Sequence, residues 1–311
     1  MESVPFHNDL AEGPDDVHAY WYRASDSVRL RVVYWPVEQA KGTIFLFSGR
    51  TEYAEKYGHI AQDVTQAGYA LITMDWRGQG LSDRIAKDTR LGHVESFDDY
   101  QRDVAELLGA GQDLGCPEPF HMIAHSMGGC IGLRALIEGF PDEKVIFSAP
   151  MWGINLPAIA RPLPYILPKI MGVFGLGERI APGTSIENYV LDAPFAENML
   201  TTDQAYYAYL GTHAQAVPEF ALGGPTVDWV GYAAYETKRL GRLARPQNPV
   251  LTFLGSDEQI VSVPAIHNMH RNWPSAELRI VDGARHEIMM EQDMARSRFL
   301  TEGLAFLQAD A

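Results

Sequence analysis

Cysteine is almost absent from this sequence. The 311 residues include only Cys116 and Cys130, and neither lies in a spacing typical of a zinc site or a redox pair. Two cysteines cannot form a disulfide framework, so we expect two buried thiols in a reducing compartment. Stability must therefore come from an apolar core, and a hydrophobic fraction of 46% is enough to build a large one.

Basic residues are also scarce, with 25 Lys and Arg against 40 Asp and Glu and a net charge of −15. This balance argues against a nucleic-acid partner, because such binding depends on neutralising phosphates. No stretch approaches the roughly 20 apolar residues that span a bilayer, so we expect no membrane span. Residues 1–12 lack the basic and apolar regions of a signal peptide. We therefore expect a cytoplasmic protein.

Short apolar runs alternate with longer helical patterns along most of the chain. This alternation predicts an α/β fold with a mostly parallel, doubly wound sheet that helices cover on both faces. Two early segments, 18–22 and 28–35, predict an antiparallel hairpin at one edge. The buried strands are predicted at 43–47, 70–74, 120–124, 144–148, 250–254 and 277–281. The helices are predicted at 53–66, 97–114, 127–138, 262–272 and 291–307.

The alternation is interrupted between residues 151 and 245. We therefore predict an α/β core formed by 1–150 and 246–311, with 151–245 inserted as a helical cap. Residues 156–177 are rich in Ile, Leu, Met and Phe, and aromatic residues follow at helical spacings. That aromatic face could pack on the core or line an apolar acyl pocket, and the two interpretations are compatible. The aromatic residues are Tyr206, Tyr207, Tyr209, Trp229, Tyr232 and Tyr235.

The most informative motif is Ala124-His125-Ser126-Met127-Gly128, which lies between a predicted strand and a predicted helix. A serine with small residues two places before and after it, at a strand-to-helix turn, is the pattern of a nucleophile elbow. Such a turn lifts the hydroxyl clear of the backbone. Ser126 is therefore the candidate nucleophile for acyl transfer. His125 should point away from its neighbour at so sharp a turn, so we interpret it as structural.

A serine nucleophile needs a histidine base and an acid that orients the histidine. In folds with a nucleophile elbow, the three residues follow along the chain in the order serine, acid, histidine. His286 follows the last predicted strand, where α/β folds place ligand chemistry. The preceding strand ends at Asp257-Glu258, and either carboxylate can be the acid. The oxyanion needs two N–H donors. We assign these to Met127, directly after the nucleophile, and to Arg50, after the turn at Gly49.

Four segments together resemble the α/β-hydrolase superfamily, and within it the branch of bacterial lysophospholipases and monoacylglycerol lipases. They are Ser48-Gly49-Arg50-Thr51-Glu52, Asp75-Trp76-Arg77-Gly78-Gln79-Gly80-Leu81-Ser82, the elbow with Gly129, and Gly283-Ala284-Arg285-His286-Glu287. The branch usually has His-Gly in the first segment and Gly in place of Ala124. Its acid loop, aligned without gaps, places Glu258 at the acid position. The resemblance therefore favours Glu258, with Asp257 as the alternative.

The resemblance implies a serine carboxylic-ester hydrolase that acts on lysophospholipids or monoacylglycerols through an acyl-enzyme. It implies no metal or organic cofactor. Two other enzymatic interpretations remain open, a general short-chain carboxylesterase and an aminopeptidase. Acidic residues of the insertion, Glu178, Glu187, Asp192 and Glu197, could hold the amine of a peptidase substrate. A non-catalytic binder of apolar ligands is a third hypothesis, which the complete order of serine, acid and histidine disfavours.

Overall fold

Apolar runs that alternate with amphipathic segments give this chain a central sheet with helices on both sides. The computed structural model describes residues 2–309. Its strands are β1 (Glu2–Ser3), β2 (His18–Arg23), β3 (Arg29–Trp35), β4 (Thr43–Phe47), β5 (Ala70–Asp75), β6 (Phe120–His125), β7 (Lys144–Ser148), β8 (Val250–Gly255) and β9 (Ala276–Val281). Its α-helices are α1 (Asn8–Ala11), α2 (Gly58–Gln66), α3 (Phe97–Asp113), α4 (Met127–Ile137), α5 (Leu163–Val173), α6 (Tyr189–Asp192), α7 (Gln204–Ala216), α8 (Val227–Leu240), α9 (Val263–His270) and α10 (Asp293–Gln308).

The nine strands form one sheet in the order β1-β2-β3-β5-β4-β6-β7-β8-β9. Strands β1, β2 and β3 pair antiparallel with one another, and β3 pairs antiparallel with β5. The remaining six strands, in the order β5-β4-β6-β7-β8-β9, are parallel. The predicted fold class and edge hairpin are therefore confirmed. All parallel strands end at the same edge of the sheet, so the loops after β4, β6, β8 and β9 can contribute to one site.

The core lies on both faces of the sheet, because successive strand residues point to opposite sides. In β4, Phe45 and Phe47 pack into one cluster, whereas Ile44 and Leu46 pack into the other. One prediction was wrong: β9 was expected to be a buried strand. It is the edge strand, and of its residues only Val281 is buried. Its other residues are half-buried or exposed, as expected for an edge strand with one partner.

Helix ends show why the sequence folds locally as it does. Ser96 begins α3 with a capping box, in which its hydroxyl accepts the Asp98 N–H at 3.1 Å and Asp99 accepts the Ser96 N–H at 3.0 Å. The helix predicted at 53–66 begins instead as a 3₁₀ turn, Ala54–Tyr57, before α2. No helix among residues 2–309 is both long and apolar enough to cross a membrane.

The chain between β7 and β8 folds into helices α5 to α8. Helices α5 and α8 approach closely because Gly231 has no side chain: a Cβ there would lie 2.5 Å from Cγ of Pro168. Two of the predicted tyrosines of α7, Tyr206 and Tyr209, pack on the body of the protein, whereas Tyr207 donates its hydroxyl to the Ala193 carbonyl oxygen within the insertion at 2.7 Å. Tyr209 donates its hydroxyl to the carbonyl oxygens of Ala11 at 3.0 Å and Glu55 at 3.2 Å.

Candidate active site

Ser126 occupies a strained turn between β6 and α4. Its backbone has φ 49° and ψ −117°, a region that non-glycine residues rarely adopt outside functional sites. Ser126 precedes the first residue of α4, yet its hydroxyl caps no N–H of that helix. The hydroxyl of Ser96, at the equivalent place in α3, is engaged as a cap. The turn therefore leaves the Ser126 hydroxyl available, as the elbow motif predicts.

The small residues around Ser126 allow strand and helix to touch. A Cβ at Gly128 would lie 2.1 Å from the Phe47 carbonyl oxygen, so glycine is required there. Ala124, the small residue two places before the serine, is fully buried. The Cβ of Ala124 faces Gly132 of α4, where a second Cβ would lie 3.3 Å away. The methyl group of Ala124 fits because the helix has none opposite it.

His286 is held by Glu258 and not by Asp257. The His286 Nδ1 lies 2.7 Å from Oε2 of Glu258, and both side chains are buried. The other oxygen, Oε1, accepts the N–H groups of Ile260 at 2.5 Å and Val261 at 3.0 Å. Burial alone would raise the pKa of Glu258, but His286 and these N–H groups outweigh it and lower the pKa. Asp257 is exposed and accepts a hydrogen bond from Ser256.

Ser126 and His286 open into the same cavity, whose volume is about 670 Å³. The surface of the cavity is mostly apolar. The residues of the insertion that line the cavity are spread over 151–230, and among the predicted aromatic residues only Trp229 contributes. The apolar lining includes Leu156, Leu163, Pro164, Leu167, Pro168, Leu210, Leu222, Trp229 and Val230. Helix α5 also leaves two large apolar side chains exposed to solvent, those of Ile170 and Val173.

The loop after β4 presents the Arg50 N–H beside this cavity. Within residues 2–309, neither this N–H nor that of Met127 donates to a protein acceptor, so both can serve an oxyanion. Gln79 holds the loop in place. Its Nε2 donates to the carbonyl oxygens of Gly49 at 2.8 Å and Glu52 at 2.9 Å, and its Oε1 accepts the Thr51 N–H at 3.3 Å.

Residues 75–82, the second segment of the resemblance, thus hold the oxyanion loop in place. The sequence did not predict this role. Asp75 accepts hydrogen bonds from Arg31 at 2.8 Å, from the Ala54 N–H at 2.9 Å and from the Leu81 N–H at 2.7 Å. A Cβ at Gly80, where φ is 56°, would meet Asp75 at about 2.2 Å, so this loop needs glycine. These contacts fix the loop that carries Gln79.

A buried network of charges lies behind His286. Lys56 Nζ binds Glu52 at 2.6 Å and Glu287 at 2.8 Å. The His125 Nε2 lies 3.2 Å from Glu287 and 3.5 Å from Glu52, and its ring centre is 4.8 Å from that of His286. Burial lowers the pKa of His125, but the two carboxylates outweigh it and raise the pKa. His125 therefore belongs to the network, and its Nδ1 lies 3.0 Å from the carbonyl oxygen of Ser148.

Glu52, His125 and Glu287 are close enough together to hold a metal ion. However, Lys56 already occupies the space between the two carboxylates. The Glu52 carboxylate also accepts hydrogen bonds from the Tyr57 hydroxyl and the Gly49 N–H. A cluster whose carboxylates are bound by an ammonium and a hydroxyl is an ion-pair network, and the donor set does not favour a cation.

A family model described as "Hydrolase_4: Serine aminopeptidase, S33" matches residues 38–293 of the chain. The chain belongs to this family. Membership agrees with the fold and with the resemblance noted from the four motifs. With the relatives described next, it shows that the chain is a hydrolase of the α/β-hydrolase type.

Similar proteins refine the comparison within the Hydrolase_4 family. A probable lysophospholipase L2 of Haemophilus influenzae is 28% identical over 89% of this chain and 87% of its own length. A monoglyceride lipase of Saccharomyces cerevisiae is 24% identical over 86% of this chain and 85% of its own. The crystal structure of a soluble variant of the yeast enzyme superposes with a TM-score of 0.74, at 22% identity, covering 98% of each chain. The predicted branch of the superfamily is confirmed.

Proposed function

We propose that this chain hydrolyses the carboxylic esters of single-chain lipids, with Ser126, His286 and Glu258 as its catalytic triad. Ser126 Oγ attacks the ester carbonyl carbon while His286 Nε2 takes the hydroxyl proton. The N–H groups of Arg50 and Met127 stabilise the oxyanion. His286 then gives the proton to the leaving alcohol, and the acyl group stays on Ser126. Water, activated by the same histidine, releases the fatty acid.

The observation that carries this proposal is the convergence of Ser126 and the Glu258–His286 pair on one apolar cavity. Serine, acid and histidine come from the loops after β6, β8 and β9. The orienting carboxylate is buried, its pKa is lowered, and it lies on the Nδ1 side of His286. That leaves Nε2 as the nitrogen that exchanges a proton with the serine. A non-catalytic binder would not require this arrangement.

Lipid monoesters suit the cavity better than peptides do. An aminopeptidase needs a free carboxylate to bind the substrate amine. The buried carboxylates that line this cavity, Glu52 and Glu287, are both bound by Lys56. Glu187 and Asp192 also line it, but both are exposed to solvent. An acyl chain needs only apolar walls and the exclusion of water, which the lining residues supply.

Labelling with a serine-directed fluorophosphonate tests the nucleophile. Wild-type protein and Ser256→Ala should be labelled, whereas Ser126→Ala should not. Ser256 is a matched control because it is exposed in the loop next to Glu258. Labelling that persists in Ser126→Ala contradicts the proposal. A chain-length series of monoacylglycerols and nitrophenyl esters tests the substrate class, and faster hydrolysis of acetate esters than of long-chain esters would favour a short-chain carboxylesterase.

The proposal also covers how the chain is divided into a core and a cap, and where in the cell the protein is located. Residues 1–150 and 246–311 serve as the catalytic core, and 151–245 serve as a cap that covers the acyl pocket. The two free, buried thiols, Cys116 and Cys130, fit a reducing cytoplasm. The net charge of −15 disfavours binding to nucleic acid. Cell fractionation, with a cytoplasmic and a periplasmic marker enzyme, tests the location.

A further inference from the structure

Arg50 is half-buried, and its side chain differs in its surroundings from the buried arginines of residues 2–309, Arg31 and Arg77. Arg31 is paired with Glu55 and Asp75, and Arg77 is paired with Asp26 and Asp103. Arg50 forms no salt bridge with any carboxylate of residues 2–309. In a chain with 40 acidic residues, a cation without an acidic partner at the catalytic cavity calls for an explanation.

The guanidinium of Arg50 is nevertheless held firmly. Its Nη2 donates to the carbonyl oxygen of Gly223 at 2.6 Å, and its central carbon lies 5.3 Å from the ring centre of Trp229. The ring is itself fixed, because Trp229 Nε1 donates to the Tyr100 hydroxyl at 3.1 Å. A Cβ at Gly92 would lie 2.6 Å from Nη2, so the backbone of Gly92 closes the remaining side.

These contacts do not satisfy the guanidinium. It has five N–H donors, and among residues 2–309 only Nη2 has a protein acceptor. The Nε atom is buried with no hydrogen-bond partner. Burial, not a neighbouring charge, lowers the pKa of Arg50 to about 10. The cation is thus preorganised and incompletely bonded, which is the state of a binding group before its ligand arrives.

Its position indicates the ligand. Arg50 lines the cavity that contains Ser126, and its own N–H is the proposed donor to the ester carbonyl. A group that meets the guanidinium must therefore lie a short distance from the ester, on the side of the leaving alcohol or of the acyl chain. The acyl chain carries no charge. In a glycerolipid, the leaving alcohol carries its head group across the three carbons of glycerol.

We infer that the side chain of Arg50 binds the phosphate of a lysophospholipid head group and so selects phosphorylated lipid monoesters over neutral monoacylglycerols. This inference rests on the proposed function and specifies its substrate. A guanidinium is suited to phosphate because two parallel N–H groups can bind two oxygens. The buried carboxylates that line the cavity, Glu52 and Glu287, do not compete for it, since Lys56 binds both, and the other two, Glu187 and Asp192, are exposed to solvent.

The test compares two substrates that share one acyl chain, short enough to remain monomeric: a lysophosphatidic acid and the corresponding monoacylglycerol. We expect Arg50→Met to lower the ratio of their kcat/KM values by about 10- to 100-fold relative to wild type, as for the loss of a charged hydrogen bond. The ratio cancels any effect on the oxyanion donor, which both substrates use. Arg50→Lys keeps the charge but not the paired donors, so its ratio should be intermediate. An unchanged ratio in both variants overturns the inference.

Inhibition of wild-type protein separates the phosphate from the rest of the lipid and needs no variant. With a neutral nitrophenyl ester as substrate, glycerophosphate should inhibit competitively at concentrations at which glycerol does not. Equal inhibition by the two compounds contradicts the inference. If wild type hydrolyses neither lipid and Ser126 is not labelled by fluorophosphonate, the proposed function fails instead. If both lipids are hydrolysed with a ratio that does not depend on Arg50, only the inference fails.

Discussion

The Nδ1 atom of His286 lies 2.7 Å from the carboxylate of Glu258, whereas the adjacent Asp257 faces solvent. Glu258 is the buried member of the pair because its second oxygen binds two N–H groups of its own loop. The loop thus presents the longer side chain inward, and the two adjacent carboxylates have different environments.

Replacing the two carboxylates one at a time tests this difference. Glu258→Gln removes the charge that orients the histidine and stabilises its protonated form, so kcat should fall by about 10⁴-fold, as in other triads. Asp257→Asn should retain nearly wild-type kcat. Esterase kinetics at neutral pH measure both. An inactive Asp257→Asn together with an active Glu258→Gln would assign the acid to the other residue.

Gln79 should act on catalysis through the oxyanion loop. Gln79→Ala removes three hydrogen bonds that fix residues 49–52, so kcat should fall by about 10-fold or more, with a smaller change in KM. The loss should stay below the 10²- to 10³-fold cost of deleting an oxyanion donor. Gln62→Ala, at an exposed position of α2, is the control. A rise in KM with unchanged kcat would show that Gln79 does not position the donor.

The buried network behind His286 should make stability depend on pH. Glu287→Gln leaves Lys56 with one carboxylate, so the free energy of unfolding should fall by about 3–5 kcal/mol at pH 7. Lys56 and His125 hold the pKa of Glu287 well below its usual range, although burial alone would raise it. Its contribution is therefore present above the unfolded pKa of about 4.3 and is lost as the pH falls through the lower folded pKa.

Urea unfolding of wild type and Glu287→Gln between pH 3 and pH 7 measures this dependence. The difference between the two proteins should be largest at pH 7 and should narrow below about pH 4.3. Glu302→Gln is the control, since the partners of Glu302 are partly exposed arginines and such pairs contribute at most about 1 kcal/mol. A difference that stays constant over the whole range is incompatible with this account.

Asp142 should behave in the opposite way. Neither of its carboxylate oxygens has a partner within residues 2–309, and burial raises the pKa of this group well above its usual range. Stability is then lost as the pH rises from the unfolded pKa of about 3.9 toward the folded one. Asp142→Asn should increase the free energy of unfolding at pH 7 by about 1–3 kcal/mol. The gain should disappear below about pH 4, and a loss of stability at pH 7 would contradict the prediction.

Sequence reasoning could identify the candidate site because its residues lie at strand ends. Ser126, Glu258 and His286 each follow a predicted strand, and parallel strands bring their ends together. The side chain of Arg50 could not be interpreted in this way. Its surroundings come from Gly92, Gly223 and Trp229, which are distant in sequence and meet only in the folded chain.

The same limit explains what was left open. The helical spacing of Tyr206 and Tyr209 indicates that they share a face of the helix, but it does not indicate what that face contacts. In the structure, both tyrosines contact the α/β core. The wrong prediction for β9 has a local cause instead, because Glu277 and Arg279 alternate with its apolar residues, a pattern typical of a strand with one exposed face. The network of Lys56, Glu52 and Glu287 joins residues more than 200 positions apart, so no local pattern could reveal it.

The contact between Ala124 and Gly132 means that the spacing of strand and helix at the elbow is encoded by a pair of positions and not by the motif alone. One methyl group fits in the gap from the strand, whereas a Cβ on the helix at position 132 would also lie 2.7 Å from Sδ of Met122. A sequence search that demands glycine two places before the serine therefore misses proteins in which a glycine on the helix leaves room for alanine on the strand. Reading position 132 together with position 124 would recover them.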